Sequence, residues 1–247
     1  MKGIILAGGT GTRLFPLTKV TNKHLLPVGK YPMIFHAIAK LKEAKIEDIL
    51  IVTGKEHMGD VVGLLGSGSE FQLSFTYKVQ DEAGGIAQAL GMAEQFVNND
   101  RMVVILGDNV FSDSIVTFVE GFEKQQSGAK ILIQQVSDPQ RYGVPELVGN
   151  KIVSIDEKPI EPKSSYAVTG IYMYDNRVFD IIRSLKPSDR GELEITDVNN
   201  AYIKSKELSF DILNEWWTDA GTHVSYSKAN ELAKDLIYGD EFGRFKM

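Results

Sequence analysis

Apolar positions along this 247-residue chain fall into two alternating rhythms. Short apolar runs over 3–7, 49–53, 102–106 and 131–136 are too brief for a helix to be preferred and predict buried strands, while 73–79 alternates like a strand. Between them, Met33, Ile34, Ala37, Ile38 and Leu41 recur at helical spacing and predict a helix over 33–44. Further helices are predicted over 61–65, 85–97 and 116–122. Strands alternating with helices imply parallel pairing, right-handed crossovers and helices on both faces of an α/β sheet.

After Pro139 the rhythm changes. Segments 142–148 and 151–156 predict a hairpin that turns at Gly149-Asn150. A strand over 168–174, helices over 178–185 and 193–203, a strand over 208–213 and a closing helix over 224–237 complete the pattern. No repeat, low-complexity tract or linker interrupts it, so one compact unit is expected.

Composition narrows the class. Hydrophobic residues make up 43%, ample for a core, and the absence of cysteine removes disulfides and thiol chemistry. The first apolar run follows a single Lys2 and breaks at Gly8, which suits neither a signal peptide nor a membrane span. A cytoplasmic protein without a membrane partner is expected. A net charge of −6 argues against nucleic acid as partner. An acidic chain that binds anions must gather cations locally, and Arg13, Lys23, Lys158 and Arg190 are the candidates.

The stretch 2–28 holds the sharpest chemistry. A strand runs into Gly8, Gly9 and Gly11, where the backbone can turn with positive φ and approach a ligand closely. Exposed N–H groups in such a loop, beside a guanidinium such as Arg13, can cradle phosphate. The loop is neither a Walker loop, which ends Gly-Lys-Ser/Thr, nor a dinucleotide fingerprint, which needs glycine where Leu14 stands. A glycine turn without ligand is the alternative for Gly-Gly-Thr-Gly alone. Arg13, Pro16, Lys23 and Pro27 behind it weigh against that alternative.

Gly8-Gly9-Thr10-Gly11-Thr12-Arg13-Leu14, with Pro16, Thr18 and Lys23-His24-Leu25-Leu26-Pro27-Val28, resembles the signature of sugar-1-phosphate nucleotidylyltransferases. Later segments are most similar to the thymidylyltransferases that act on glucose 1-phosphate. The resemblance runs through nearly the whole chain. It implies a Rossmann-like mixed sheet flanked by helices with a smaller mixed α/β sugar-binding lobe, in a single domain over 1–247. The nucleotide-binding half would span about 1–138 and the sugar-binding half 139–247. It also implies dTTP and glucose 1-phosphate as substrates, pyrophosphate and dTDP-glucose as products, Mg²⁺ as cofactor and assembly as a homo-oligomer, dimer or tetramer. The product would supply dTDP-deoxysugars such as dTDP-rhamnose for polysaccharide.

Residue by residue, the resemblance places Leu6, Gly8, Gly9, Gly11, Thr12, Arg13 and Asp108 on the nucleotide, with Gln80 and Gly85 on its base. Arg13, Lys23 and Asp108 would carry catalysis, and Asp108 with Asp219 would hold the metal. Tyr142, Gly143, Glu157, Lys158, Val168 and Arg190 would form the sugar-phosphate site. By themselves, Asp108 and Asp219 read equally as turn or cap acids, Glu157-Lys158 as a solvated pair, and Gln88 as a surface residue. Glu192 and Glu194 read as acids in a helix's first turn. The histidines, His24, His36, His57 and His223, have no metal-ligand spacing and read as incidental. No Gly-x-Ser-x-Gly elbow marks a hydrolase.

The expected reaction is in-line attack of the sugar phosphate on the α-phosphorus of dTTP. Gly85-Ile86-Ala87-Gln88-Ala89, close to the Gly-Leu-Ala-Gln-Ala of thymidylyltransferases, is the main reason for preferring dTTP. A uridylyltransferase using UTP, a related sugar nucleotidylyltransferase and a non-catalytic nucleotide-sugar sensor are the alternatives. Three departures stand out: His24 where the family has glutamine, Asp81-Glu82-Ala83 in place of a proline-containing loop, and an end at Met247. From the last, a second regulatory nucleotide site is expected to be missing or built differently.

Overall fold

The structure is a computed structural model describing residues 1–240 and 242; Met247 lies outside the described residues. The chain runs β1 (Lys2–Ala7), β2 (Pro27–Val28), β3 (Tyr31–Pro32), α1 (Met33–Glu43), β4 (Asp48–Gly54), α2 (Met58–Leu65) and β5 (Ser74–Gln80). It continues through α3 (Ile86–Gly91), α4 (Glu94–Val97), β6 (Met102–Leu106), β7 (Asn109–Phe111), α5 (Val116–Lys124) and β8 (Ala129–Gln135). Then follow β9 (Gly143–Val148), β10 (Lys151–Glu157), β11 (Tyr166–Tyr174), α6 (Val178–Ser184), α7 (Ile195–Lys204), β12 (Leu208–Ile212), β13 (Trp217–Asp219) and α8 (His223–Ala233).

Seven strands form the central sheet in the order β12-β8-β11-β6-β1-β4-β5. Side chains alternate across it, as the two-residue period of a strand requires. Ile4 and Leu6 join one core beneath α3, α6 and α7, while Ile5 and Ala7 join the other beneath α1, α2 and α5. In α1, Ile34, Ile38 and Leu41 are fully buried, each worth about 1.5–3 kcal/mol of transfer free energy. Among the described residues no helix is long and apolar enough to cross a membrane.

Four features differ from the sequence pattern. The sheet is not wholly parallel, because β11 runs antiparallel to both β6 and β8. Tyr166 pairs with Gln135, so the chain leaves β8, makes the β9–β10 hairpin and re-enters the sheet at the same end. A helical crossover would have returned it parallel. Nor is 85–97 one helix. Its backbone tightens after Gly91, where Met92 N donates to Ala89 O and Ala93 N to Leu90 O, and it resumes as α4. The closing helix stops at Ala233, whose carbonyl abuts Gly29 so closely that a β-carbon there would lie 2.5 Å from it. Two three-residue strands, β7 and β13, pair as a small ribbon that no periodicity announces.

Candidate active site

The loop after β1 is shaped by Gly9 and Gly11, with φ of 89° and 65°, values that glycine adopts without strain. Buried Leu14 then anchors a 3-10 turn, Thr12–Leu14, to the core under α8, leaving Arg13 exposed on the turn. The Thr18 hydroxyl closes the loop by donating to Gly11 O at 2.7 Å. A second turn, Lys23–Leu25, begins where Asn22 Oδ1 accepts from His24 N. That turn aims Lys23 Nζ at Asp108 Oδ2, 2.6 Å away, just beyond the carboxyl end of β6.

The β7–β13 ribbon brings in the second acid. Asp219 pairs with Asn109, and Ala220 N donates to Asp108 O at 2.8 Å. A β-carbon placed on Gly221 would lie 3.1 Å from Asp219 Oδ2, 3.3 Å from Arg13 Nη2 and 3.6 Å from Asp108 Oδ2. Both carboxylates and the guanidinium therefore surround a single point. Two carboxylates leave room for phosphate oxygens and water, the mixture that Mg²⁺ takes. Among the described residues no cluster of three or more acids, histidines or cysteines offers another metal site.

Charge compensation sets the protonation states. Burial would raise the Asp108 carboxyl, but the Lys23 ammonium and the hydrogen bonds from Lys23 and Asn109 hold it well below the usual carboxylate range. His24 is pushed down to about 3, first by burial and then by Lys23. Its ring is thus neutral, with Nδ1 2.7 Å from Asn22 Oδ1. This overturns the reading of His24 as incidental, for it lines the cleft and packs on Gly107, where a β-carbon would lie 2.8 Å from the ring. Asp219 accepts from the Tyr142 hydroxyl at 2.9 Å and from Arg141 Nη2 at 3.3 Å. Burial and Asp219 raise the Tyr142 phenol, keeping it a donor.

The facing wall comes from the hairpin and the start of α7. Gly143 pairs with Glu157, whose Oε2 accepts from the Thr196 hydroxyl at 2.5 Å. Lys158 has a φ of 46°, a left-handed conformation of the kind that gathers at functional sites. Its ammonium lies 3.3 Å from Glu157 Oε1. Glu192 and Glu194 precede α7 and so do not sit in its first turn; they flank Arg190, whose Nη2 lies 3.7 Å and 2.8 Å from them. Beyond the end of β5, Gly85 has a φ of 99° and no space for a side chain against Leu193 O. Gln80 donates to Gln88 Oε1 at 2.6 Å, so Gln88 is not a plain surface residue.

These walls enclose a cleft of ≈ 600 Å³, a common size for a small-molecule site. Leu6, Gly8, Gly9, Arg13, Lys23, Gln80, Gly85 and Asp108 line it from one side. Tyr142, Gly143, Glu157, Lys158, Val168, Arg190 and Asp219 line it from the other. Gly11 and Thr12 are not on its wall: Gly11 turns toward Thr18, and Thr12 is exposed. Sequence reasoning missed Arg141 and Asn109. Asn109 Oδ1 accepts from Trp217 Nε1 at 2.6 Å and from Gly170 N at 2.9 Å, while its Nδ2 donates to Asp108 Oδ1 at 3.1 Å. Its only signal in the chain is its place next to Asp108.

A sequence profile described as nucleotidyl transferase matches residues 2–235. A glucose-1-phosphate thymidylyltransferase of Neisseria meningitidis is 46% identical over 93% of this chain and 81% of its own length. A Bacillus anthracis crystal structure with sucrose, provisionally described as a glucose-1-phosphate thymidylyltransferase, is 66% identical with a TM-score of 0.96, covering 98% of this chain and 99% of that one. A UDP-glucose pyrophosphorylase complexed with UDP-glucose superposes with a TM-score of 0.84 at 26% identity, over 94% of this chain and 97% of that one. With its sheet, its glycine loop and nearly its whole length matched, this chain belongs to the nucleotidyl transferase family.

Proposed function

We propose that this enzyme transfers the thymidylyl group of dTTP to α-D-glucose 1-phosphate, forming dTDP-glucose and pyrophosphate. The observation that carries the reading is the convergence of Asp108, Asp219 and Arg13 on one point, with Lys23 held on Asp108. That point lies between the glycine loop and the hairpin wall. The thymidylyltransferase relatives, similar over most of the chain, support the choice of substrates.

Glucose 1-phosphate arrives as an anion, so its attack on the α-phosphorus needs no general base. Catalysis is positioning and charge stabilisation. Residues 1–138 would hold the nucleotide. Leu6, Gly8 and Gly9 would approach the nucleoside and phosphates, and Gln80 and Gly85 the base. Residues 139–247 would hold the sugar phosphate, with Tyr142, Gly143, Glu157 and Val168 around the sugar and Lys158 and Arg190 on its phosphate. Arg13 would face the departing pyrophosphate. Lys23 would shift from Asp108 to the triphosphate as that anion arrives. Asp108 and Asp219 would bind Mg²⁺, which when bound neutralises phosphate charge. The product would feed dTDP-deoxysugars such as dTDP-rhamnose, made by a cytoplasmic homo-oligomer.

Pyrophosphate release with glucose 1-phosphate tests the reading, comparing dTTP, UTP, ATP, CTP and GTP with Mg²⁺ and with chelator. Release led by dTTP and lost with chelator is expected. Preference for UTP would move the reading to a uridylyltransferase, and no release with any triphosphate would leave an enzyme for another sugar phosphate or a nucleotide-sugar sensor.

A further inference from the structure

Gln80 ends β5 at the cleft and is only 7% exposed. An amide in such a place can present either its oxygen or its NH₂ to a ligand, and the two choices select opposite hydrogen-bonding partners. The structure fixes the choice through a chain that starts at a group of known polarity. Gly84 N, a backbone donor, shares its hydrogen between Glu82 O at 2.9 Å and Gln88 Oε1 at 3.2 Å. Gln88 must therefore turn its oxygen, not its NH₂, toward the 80–84 segment. Gln80 Nε2 donates to that same oxygen at 2.6 Å. Were the Gln80 amide flipped, two acceptor oxygens would meet at that distance. Were Gln88 flipped as well, its NH₂ would face the Gly84 N–H. The first sets acceptor against acceptor and the second donor against donor, and each forfeits a hydrogen bond that the observed arrangement makes.

The consequence falls on the other end of the Gln80 amide. Its Oε1 lies against Gly8, where no β-carbon could fit, and among the described residues no hydrogen bond takes it. It remains an acceptor at the cleft wall. Thymine and uracil carry a proton on N3 and can donate to such an oxygen. Cytosine carries a lone pair on N3 and cannot.

We propose that Gln88 is a positioning residue that fixes the polarity of the Gln80 amide, and thereby selects pyrimidines bearing an N3 proton against cytosine. This rests on the reading of Gln80 as the base contact. Gln88 itself is not on the cleft wall and acts through Gln80.

The test compares kcat/KM for dTTP and dCTP, with glucose 1-phosphate, in the wild type, Gln88→Met and Gln88→Glu. Methionine keeps the length without the carbonyl, whereas glutamate keeps an acceptor for both Gly84 N and Gln80 Nε2. The wild type is expected to prefer dTTP. Gln88→Met should shrink that preference about ten-fold, chiefly through KM, while Gln88→Glu stays within about two-fold of the wild type. A folded Gln88→Met that turns over dTTP with the wild-type preference overturns the inference while the base-site reading stands. A wild type that takes dCTP as readily as dTTP overturns the base-site reading, and the inference with it. If Gln88→Met does not fold, Gln88→Ala with dTDP and dCDP binding by calorimetry decides in the same way: an unchanged dTDP preference sinks the inference, and a lowered one supports it.

Discussion

Lys23 Nζ lies 2.6 Å from Asp108 Oδ2, with side chains only 13% and 15% exposed. The pair ties the loop after β1 to the end of β6 and keeps a buried carboxylate anionic. Removing one partner strands the other. Lys23→Ala should lower kcat roughly 10²–10³-fold and destabilise the fold by about 3 kcal/mol. Adding Asp108→Asn to Lys23→Ala should return most of the stability but none of the activity. Denaturant melts and pyrophosphate release measure the two effects separately. A double variant as unstable as Lys23→Ala would show that the pair is not the cause.

Arg13 makes the opposite prediction. It stands exposed on its turn, and Leu14 beside it supplies the packing. Arg13→Ala should leave the melting temperature within about 2 °C, as surface substitutions usually do. Turnover should fall roughly 10²–10³-fold. Near-wild-type turnover would remove Arg13 from the proposed catalytic set.

Much of this site was legible in the chain because its parts are contiguous. Gly8 to Arg13 can be read in place, since a strand, positive-φ glycines and a cation follow one another within a few residues. The union of Asp108 with Asp219 was implied by the family resemblance alone and could not be read from the residues themselves. It depends on β7 and β13, three residues each, too short for alternation to register. Asn109 was missed because its bonds to Trp217 and Gly170 exist only once that ribbon forms. The antiparallel course of β11 was hidden by burial on both faces, which erases the alternation that marks a half-exposed strand. Gln88 was hidden differently. Its partners, Gln80 and Gly84, are near in sequence, but polarity along a chain of amides cannot be read from spacing.

Beside the hairpin wall of the cleft, Arg190 is surrounded by Glu157, Glu192 and Glu194, with Nη2 3.5 Å, 3.7 Å and 2.8 Å from their oxygens. These acids aim the guanidinium and also compete with any phosphate for it. Arg190→Ala should raise KM for glucose 1-phosphate by about ten-fold or more, the scale of a charged hydrogen bond, and leave KM for dTTP within about two-fold. Arg190→Lys should recover only part, because a planar fork that engages an anion through two N–H groups is replaced by a point charge. An equal rise in both KM values would place Arg190 outside the sugar-phosphate site.

Two buried imidazoles set the acid limit of the fold. His24 is pushed down to about 3 by burial and then by Lys23. His36 is pushed down to about 4 by burial, although its bond to Val28 O opposes the shift. In the unfolded chain both titrate near the ordinary value of about 6.5. At pH 7 the folded chain holds neither proton and the unfolded chain only a minor share, so little is lost. Below about 6.5 the unfolded chain takes up protons that the folded one refuses, and stability falls with pH. Each histidine should cost about 1 kcal/mol per pH unit between pH 6.5 and 5. His24→Gln should therefore start from a different stability at pH 7 but lose it about half as steeply on acidification. Urea midpoints of the two proteins at pH 7, 6 and 5 measure the slopes. Equal slopes would mean that His24 is not held neutral in the folded chain.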